Sequence, residues 1–133
     1  MIQAVADTHT VIWYLFDDPR LSRKAKATIE QAIAKGDQIG FSSITMIEII
    51  YLVEKGRINP ETLDRLLTAV EEQDAPLVEL PIDRGIARTM RSIPRDVVPD
   101  MPDRIIAATA QHYNTSLISR DEKIKISDIQ TIW

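Results

Sequence analysis

Short apolar runs that alternate with longer segments of helical periodicity constrain this chain more than any other feature. Val5 closes a run that begins at Gln3-Ala4, and Thr8 to Phe16 then carries apolar residues at helical spacing until Asp17-Asp18-Pro19 stops it. Ser22 is placed to cap a helix through about Lys35, with Ala25, Ile29, Ala32 and Ile33 on one face and Gly36-Asp37 at its end. Ile39 to Phe41 reads as a strand. Thr45 to Lys55 is strongly apolar and closes at Gly56, and Asn59-Pro60 opens a helix to about Gln73 with Leu63, Leu66, Leu67 and Val70 inward. Val78 to Leu80 is a short strand, and Asp83 caps a helix to about Ile93. Pro94, Pro99 and Pro102 punctuate a loop before a helix from Asp103 to about Tyr113, after which Leu117-Ile118 and Ile129 to Trp133 supply the last strands.

Strands that are apolar and separated by helices need cover on both faces. The expected fold is therefore an α/β domain, a three-layer α/β/α sandwich with a mainly parallel central sheet. A chain of 133 residues with 44% hydrophobic content suits one domain over residues 1–133, with a sizeable core. It contains no internal repeat, low-complexity segment or linker.

In such a sheet the carboxyl ends of the strands line one crevice where ligands bind. Four carboxylates stand where strand-like runs give way to helix-like runs: Asp7, Glu48, Asp103 and Asp121. Gathered carboxylates repel one another unless a cation neutralises them, and hard divalent ions such as Mg²⁺ and Mn²⁺ prefer oxygen ligands. An acidic metal site is the first functional expectation.

Each acid also has an ordinary explanation. N-capping accounts for Asp7 as well as a ligand role does, and it accounts for Asp103 after Pro102; Asp100 is an alternative cap or an added charge beside the site. Thr45-x-x-Glu48 matches a capping box, in which the Glu side chain returns to the Thr backbone N–H. Against that, Ile44, Ile47, Ile49, Ile50 and Leu52 enclose Glu48 in sequence, and a buried carboxylate without a partner is expensive. Asp121 suits a polar turn, where the Ser119 hydroxyl is placed to orient it.

Charge and composition narrow the classes. With 16 Lys and Arg against 20 Asp and Glu, the net charge is −4, so no global basic field attracts nucleic acid and any such binding relies on local cations. Candidate phosphate contacts are Arg104, Arg120, Lys123 and Lys125, although a solvated surface charge is the better reading of each. His9 either contacts substrate or satisfies the first helical turn, and Trp13 and Tyr14 suit core or partner packing better than base stacking. Arg84, Arg88 and Arg91 share a helix face that fits a contact with another subunit or a partner protein as well as nucleic acid. The absence of Cys excludes disulfides and thiolate ligands, and His9 and His112 alone cannot build a His-rich zinc site. Neither a signal peptide nor a membrane span is expected, which suits a cytoplasmic protein.

The words DTHTVIWYL, SxxTxxE from Ser42 to Glu48, PDRIIAATA and SRDEKI, in this order along nearly the whole chain, resemble the PIN-domain family and, within it, bacterial VapC-type toxins. The stretch from Glu54 to Val98 carries little of that signature. The resemblance implies a metal-dependent endoribonuclease of single-stranded RNA, the toxin of a type II toxin–antitoxin pair. It implies Asp7, Glu48, Asp103 and Asp121 as catalytic and metal-binding positions for Mg²⁺, with Mn²⁺ as substitute, and Ser119 as the small hydroxyl residue before the last acid. Asp100 and Thr45 are supporting residues, and His9, Arg104 and Arg120 are candidate RNA contacts. The implied partners are the RNA, a cognate antitoxin and a second copy in a homodimer, with Trp13, Leu15 and Leu21 as the apolar positions that receive an antitoxin segment.

Other classes stay open: a catalytically silent PIN-like interaction module, and a Mg²⁺-dependent phosphotransfer or phosphatase domain with an Asp nucleophile. The second commonly needs another Asp two positions after the first, where this chain has His9. A receiver-like signalling module needs an acid directly after a middle strand, and none follows Ile39 to Phe41.

Overall fold

The computed structural model describes residues 1–121, 124 and 129–133. Along the chain run β1 (Ile2–Ala6), α1 (Thr8–Leu15), α2 (Arg23–Ala34), β2 (Gln38–Ser42), α3 (Ile44–Glu54) and α4 (Thr62–Glu71). They are followed by β3 (Leu77–Leu80), α5 (Arg84–Met90), α6 (Met101–His112), β4 (Ser116–Ile118) and β5 (Thr131–Ile132). The sheet has the order β3-β2-β1-β4-β5, and every neighbouring pair is parallel.

Strand alternation builds two cores, one on each face. In β1, Ala4 and Ala6 point into a cluster with Ile39, Phe41, Ile29, Ile49 and Leu66, while Val5 between them points into one with Leu117, Ile86, Ile106 and Ala110. The first cluster thus carries α1 to α4 and the second carries α5 and α6, which gives the expected three layers. A Cβ at Gly40 of β2 would collide with the Leu80 side chain of the neighbouring edge strand β3, so a larger residue there would force Leu80 to move.

Most helix ends follow the sequence signals. Ser22 accepts from the Ala25 N–H at 3.0 Å, and Asp83 accepts from the Ile86 N–H at 3.1 Å. Gly36 and Gly56 close α2 and α3 with φ of +78° and +69°, the left-handed conformation that lets the next N–H reach back over the last turn.

Three boundaries differ from expectation. The fourth helix starts at Thr62 because Asn59 first forms its own turn, its Oδ1 accepting from the Glu61 N–H at 2.8 Å. The fifth ends at Met90, since the N–H groups of Ser92 and Ile93 turn back to the Thr89 and Met90 carbonyls before Pro94. The sixth starts at Met101 and is capped by Asp100, not Asp103. Among the described residues no helix is long and apolar enough to cross a membrane.

Candidate active site

The chain leaves β3 at one side of the sheet and returns at β4, on the far side of β1, so β1 and β4 flank the point where strand order reverses. Asp7 follows the last residue of β1, and its N–H donates to the Ile118 carbonyl at the end of β4, 3.2 Å away. Its Oδ1 caps α1 by accepting from the Thr10 N–H at 2.9 Å, and the Thr10 hydroxyl donates to the same Ile118 carbonyl at 2.9 Å. The start of α1 is thereby fixed to two strand ends. Capping and a place in the cleft are both true of Asp7.

Glu48 reaches this point from α3. The Thr8 hydroxyl donates to Glu48 Oε1 at 2.5 Å and stands 3.0 Å from the Thr45 hydroxyl. Because Thr8 has one proton to give, Thr45 donates to Thr8 while Thr8 donates to the carboxylate. The capping-box reading of Thr45 and Glu48 is thus overturned: Ser43 holds the N-cap position, Thr45 lies inside the helix, and the Glu48 side chain turns to Thr8 instead of its own helix end. The expected apolar enclosure also fails, since Ile47 is 49% and Ile50 41% exposed. Burial still raises the Glu48 pKa; the Thr8 hydrogen bond opposes the rise, and the Asp100 and Asp7 charges add to it.

The remaining acids arrive from α6 and from the turn after β4. Asp100 Oδ1 accepts from the Asp103 N–H at 3.1 Å, so capping of α6 is Asp100's work and leaves the Asp103 carboxyl unexplained by it. Burial pushes Asp103 up to about 7, aided by the charges of Asp100 and Asp121, a hydrogen bond with Asp121, and the charge of Glu48. Ser119, fully buried, acts on the backbone: its Oγ accepts from the Asp121 N–H at 3.0 Å, which shapes the turn that carries the acid.

Asp7, Glu48, Asp100, Asp103 and Asp121 line one cleft of about 380 Å³, together with Thr8, His9, Trp13, Ile106 and Arg120. Four acids spread over the sequence therefore meet, with a fifth beside them. Their all-oxygen donor set suits a hard divalent ion. Among the described residues no three of these side chains stand close enough to hold one ion directly; Mg²⁺ commonly keeps several waters and takes only one or two carboxylates from the protein.

The candidate RNA contacts divide. His9 and Arg120 are at the cleft. Arg104 is not: its Nη2 donates to the Met90 and Ile93 carbonyls at 3.2 and 2.9 Å, tying α6 to the end of α5. Lys123 and Lys125 lie outside the described residues. Trp13 and Leu21 are buried and Leu15 half-buried, so these positions offer no open apolar face. Exposed Ile47, Ile50 and Tyr51 on α3 do.

Thr8 escaped the sequence reading, although its hydroxyl side chain directly follows Asp7. Replacing it with Val leaves the half-buried Glu48 carboxylate without its donor and should cost about 1–3 kcal/mol. Urea unfolding of Thr8→Val against the parent reads this directly, and an unchanged midpoint would remove Thr8 from the site.

The sequence pattern of the PIN domain matches residues 4–129. The chain belongs to the PIN domain family. It is 26% identical over 125 residues to Ribonuclease VapC22 of Mycobacterium tuberculosis, an alignment that covers 94% of this chain and 92% of that protein. Among solved structures, VapBC2 from Rickettsia felis bound to a DNA fragment from its promoter is similar with a TM-score of 0.71 at 19% identity, covering 98% of this chain and 97% of that one. A toxin–antitoxin complex from Klebsiella pneumoniae is similar with a TM-score of 0.68 at 25% identity, with the same coverage of 98% and 97%. This PIN domain thus shares its architecture with those chains over almost its full length.

Proposed function

We propose that this PIN domain, residues 1–133 acting as one unit, is a metal-dependent endoribonuclease of single-stranded RNA and the toxin of a toxin–antitoxin pair in the cytoplasm. The observation that carries the reading is the carboxyl set itself: Asp103 is raised to about 7 by burial and by the acids around it, a strain that a bound cation relieves. The similarity to a protein named as a ribonuclease supports the nuclease class.

Asp7, Glu48, Asp103 and Asp121 would hold Mg²⁺, or Mn²⁺ in its place, with Asp100 and Ser119 holding the α6 and β4 ends in position. The ion would supply positive charge at the scissile phosphate and lower the pKa of an attacking water. Asp121 or Asp7 would accept a proton from the attacking water as general base. Thr8 and Thr45 keep the Glu48 carboxylate aimed inward. His9, at the cleft mouth, contacts the RNA.

The solved relatives named as a toxin–antitoxin complex and as VapBC2 support an antitoxin partner. Ile47, Ile50 and Tyr51 replace Trp13, Leu15 and Leu21 as its apolar landing face. The same reading includes a homodimer, so sedimentation should give twice the monomer mass of 15.1 kDa.

Purified protein should cleave single-stranded RNA in Mg²⁺ or Mn²⁺ and stop in chelator. Full activity in chelator would sink the reading. A silent interaction module predicts no cleavage with either ion.

A further inference from the structure

Trp13 is 4% exposed, yet it forms part of the cleft wall. The Arg120 guanidinium lies over its ring at 4.8 Å and that of Arg20 at 5.2 Å, while the His9 ring stands 5.5 Å away. These arginines differ in what else engages them. Arg20 is neutralised by Asp18, to which its Nε and Nη2 donate at 3.0 and 2.7 Å. Arg104 is held by carbonyls, and Arg65 donates to the Leu15 carbonyl over the Phe16 ring. Among the described residues, Arg120 has no ion pair within 4.0 Å and no side-chain hydrogen bond, and it is the one Lys or Arg that lines the acidic cleft.

A guanidinium beside five carboxylates would ordinarily fold onto one of them and cancel both charges. Contact with the Trp13 ring opposes that collapse and leaves the N–H edge open. That edge is a fork of donors whose spacing matches phosphate oxygens.

We propose that Arg120, stacked on Trp13, binds an RNA phosphate flanking the scissile one, with Trp13 as the positioning residue that keeps Arg120 off the acids. The assignment rests on the ribonuclease reading. A cation held by the acids would supply positive charge at the scissile phosphate, and Arg120 fixes the strand beside it. Since this contact is to the backbone, it adds affinity without reading sequence.

The test is fluorescence anisotropy of a labelled single-stranded RNA oligonucleotide in Mg²⁺ across a salt series, in an Asp103→Asn background so that the probe survives. Adding Arg120→Ala should weaken binding about five- to tenfold and flatten the slope of log K against log salt by about 0.7, the contribution of one phosphate on a single strand. Arg120→Lys should restore the slope and part of the affinity. Arg20→Ala, on the same ring but paired to Asp18, should leave the slope unchanged. A slope that Arg120→Ala does not change overturns the inference: lost affinity would then mean base stacking, and full affinity would mean a bystander. If the parent cleaves RNA with that result, the ribonuclease reading stands. If the parent neither binds nor cleaves RNA, both fall.

Discussion

Asp103→Asn should abolish RNA cleavage while leaving the protein folded. Asn retains the size and most of the hydrogen-bonding capacity of Asp but not its charge, and the α6 cap does not depend on this side chain because Asp100 accepts from the Asp103 N–H. A residue that merely supports metal ligands loses about 10–100-fold on substitution. A ligand shared by the substrate-bound ion should lose more than that. Asp100→Asn is the matched comparison: Asn caps a helix about as well as Asp, so that variant should keep its stability and lose activity only in the supporting range. Gel-resolved cleavage rates in Mg²⁺, set beside the circular dichroism of each protein, distinguish the two. If Asp100→Asn is the dead enzyme and Asp103→Asn the active one, the roles assigned from α6 are reversed.

Sequence could not settle that pair in advance. Pro102 lies between two acids, and either one is compatible with a cap; only the start of α6 at Met101 shows which oxygen reaches the orphan N–H. The strands and the helix ends marked by Ser22, Asp83, Gly36 and Gly56 were legible because each depends on local chemistry. Convergence of the acids was legible too, because strand alternation with helices dictates a parallel sheet whose carboxyl ends lie together.

Long-range direction of side chains was not. Arg104 adjoins Asp103 in sequence, yet it points to the Met90 and Ile93 carbonyls at and just past the end of α5, the first of which also accepts from the Ile93 N–H. Trp13 and Leu21 looked available to a partner as apolar positions on and just after the first helix, but the first core cluster takes them in. Conversely, Ile47 and Ile50 looked buried around Glu48, although a helix so apolar all round must leave one face outside when only one side meets the sheet. The Thr8 to Glu48 bond joins residues 40 positions apart, a separation that local pattern reading does not reach.

The same charges should make stability depend on pH and metal in opposite ways. An unfolded Asp titrates near its model value of 3.8, whereas folded Asp103 is raised to about 7. A carboxyl with a raised folded pKa binds its proton more tightly in the native state, so it favours folding at low pH. That contribution is complete below about 4, falls through the window from about 4 to about 7, and is absent above it. Glu48 is raised as well and acts in the same direction. Because Asp103 is part-exposed and screened, its loss should amount to about 1–2 kcal/mol, less than its full shift implies. In chelator, the parent should therefore lose stability relative to Asp103→Asn as pH rises from 4 to 8.

Mn²⁺ should reverse this at the alkaline end. An ion that binds only the folded state adds about 2.7 kcal/mol at about 100 times its Kd. Near pH 8 the carboxylates are charged and the gain is complete; near pH 5 protons compete for the same oxygens and the gain shrinks. Asp103→Asn should start higher in chelator at pH 8 and gain less from the ion, since one substitution removes both a repelling charge and a ligand. Melting curves of both proteins at pH 5 and pH 8, with chelator and with Mn²⁺ at matched ionic strength, give every term. An equal Mn²⁺ shift in the two proteins at pH 8 would take Asp103 out of the metal site, and its raised pKa would then report burial and the neighbouring acids alone.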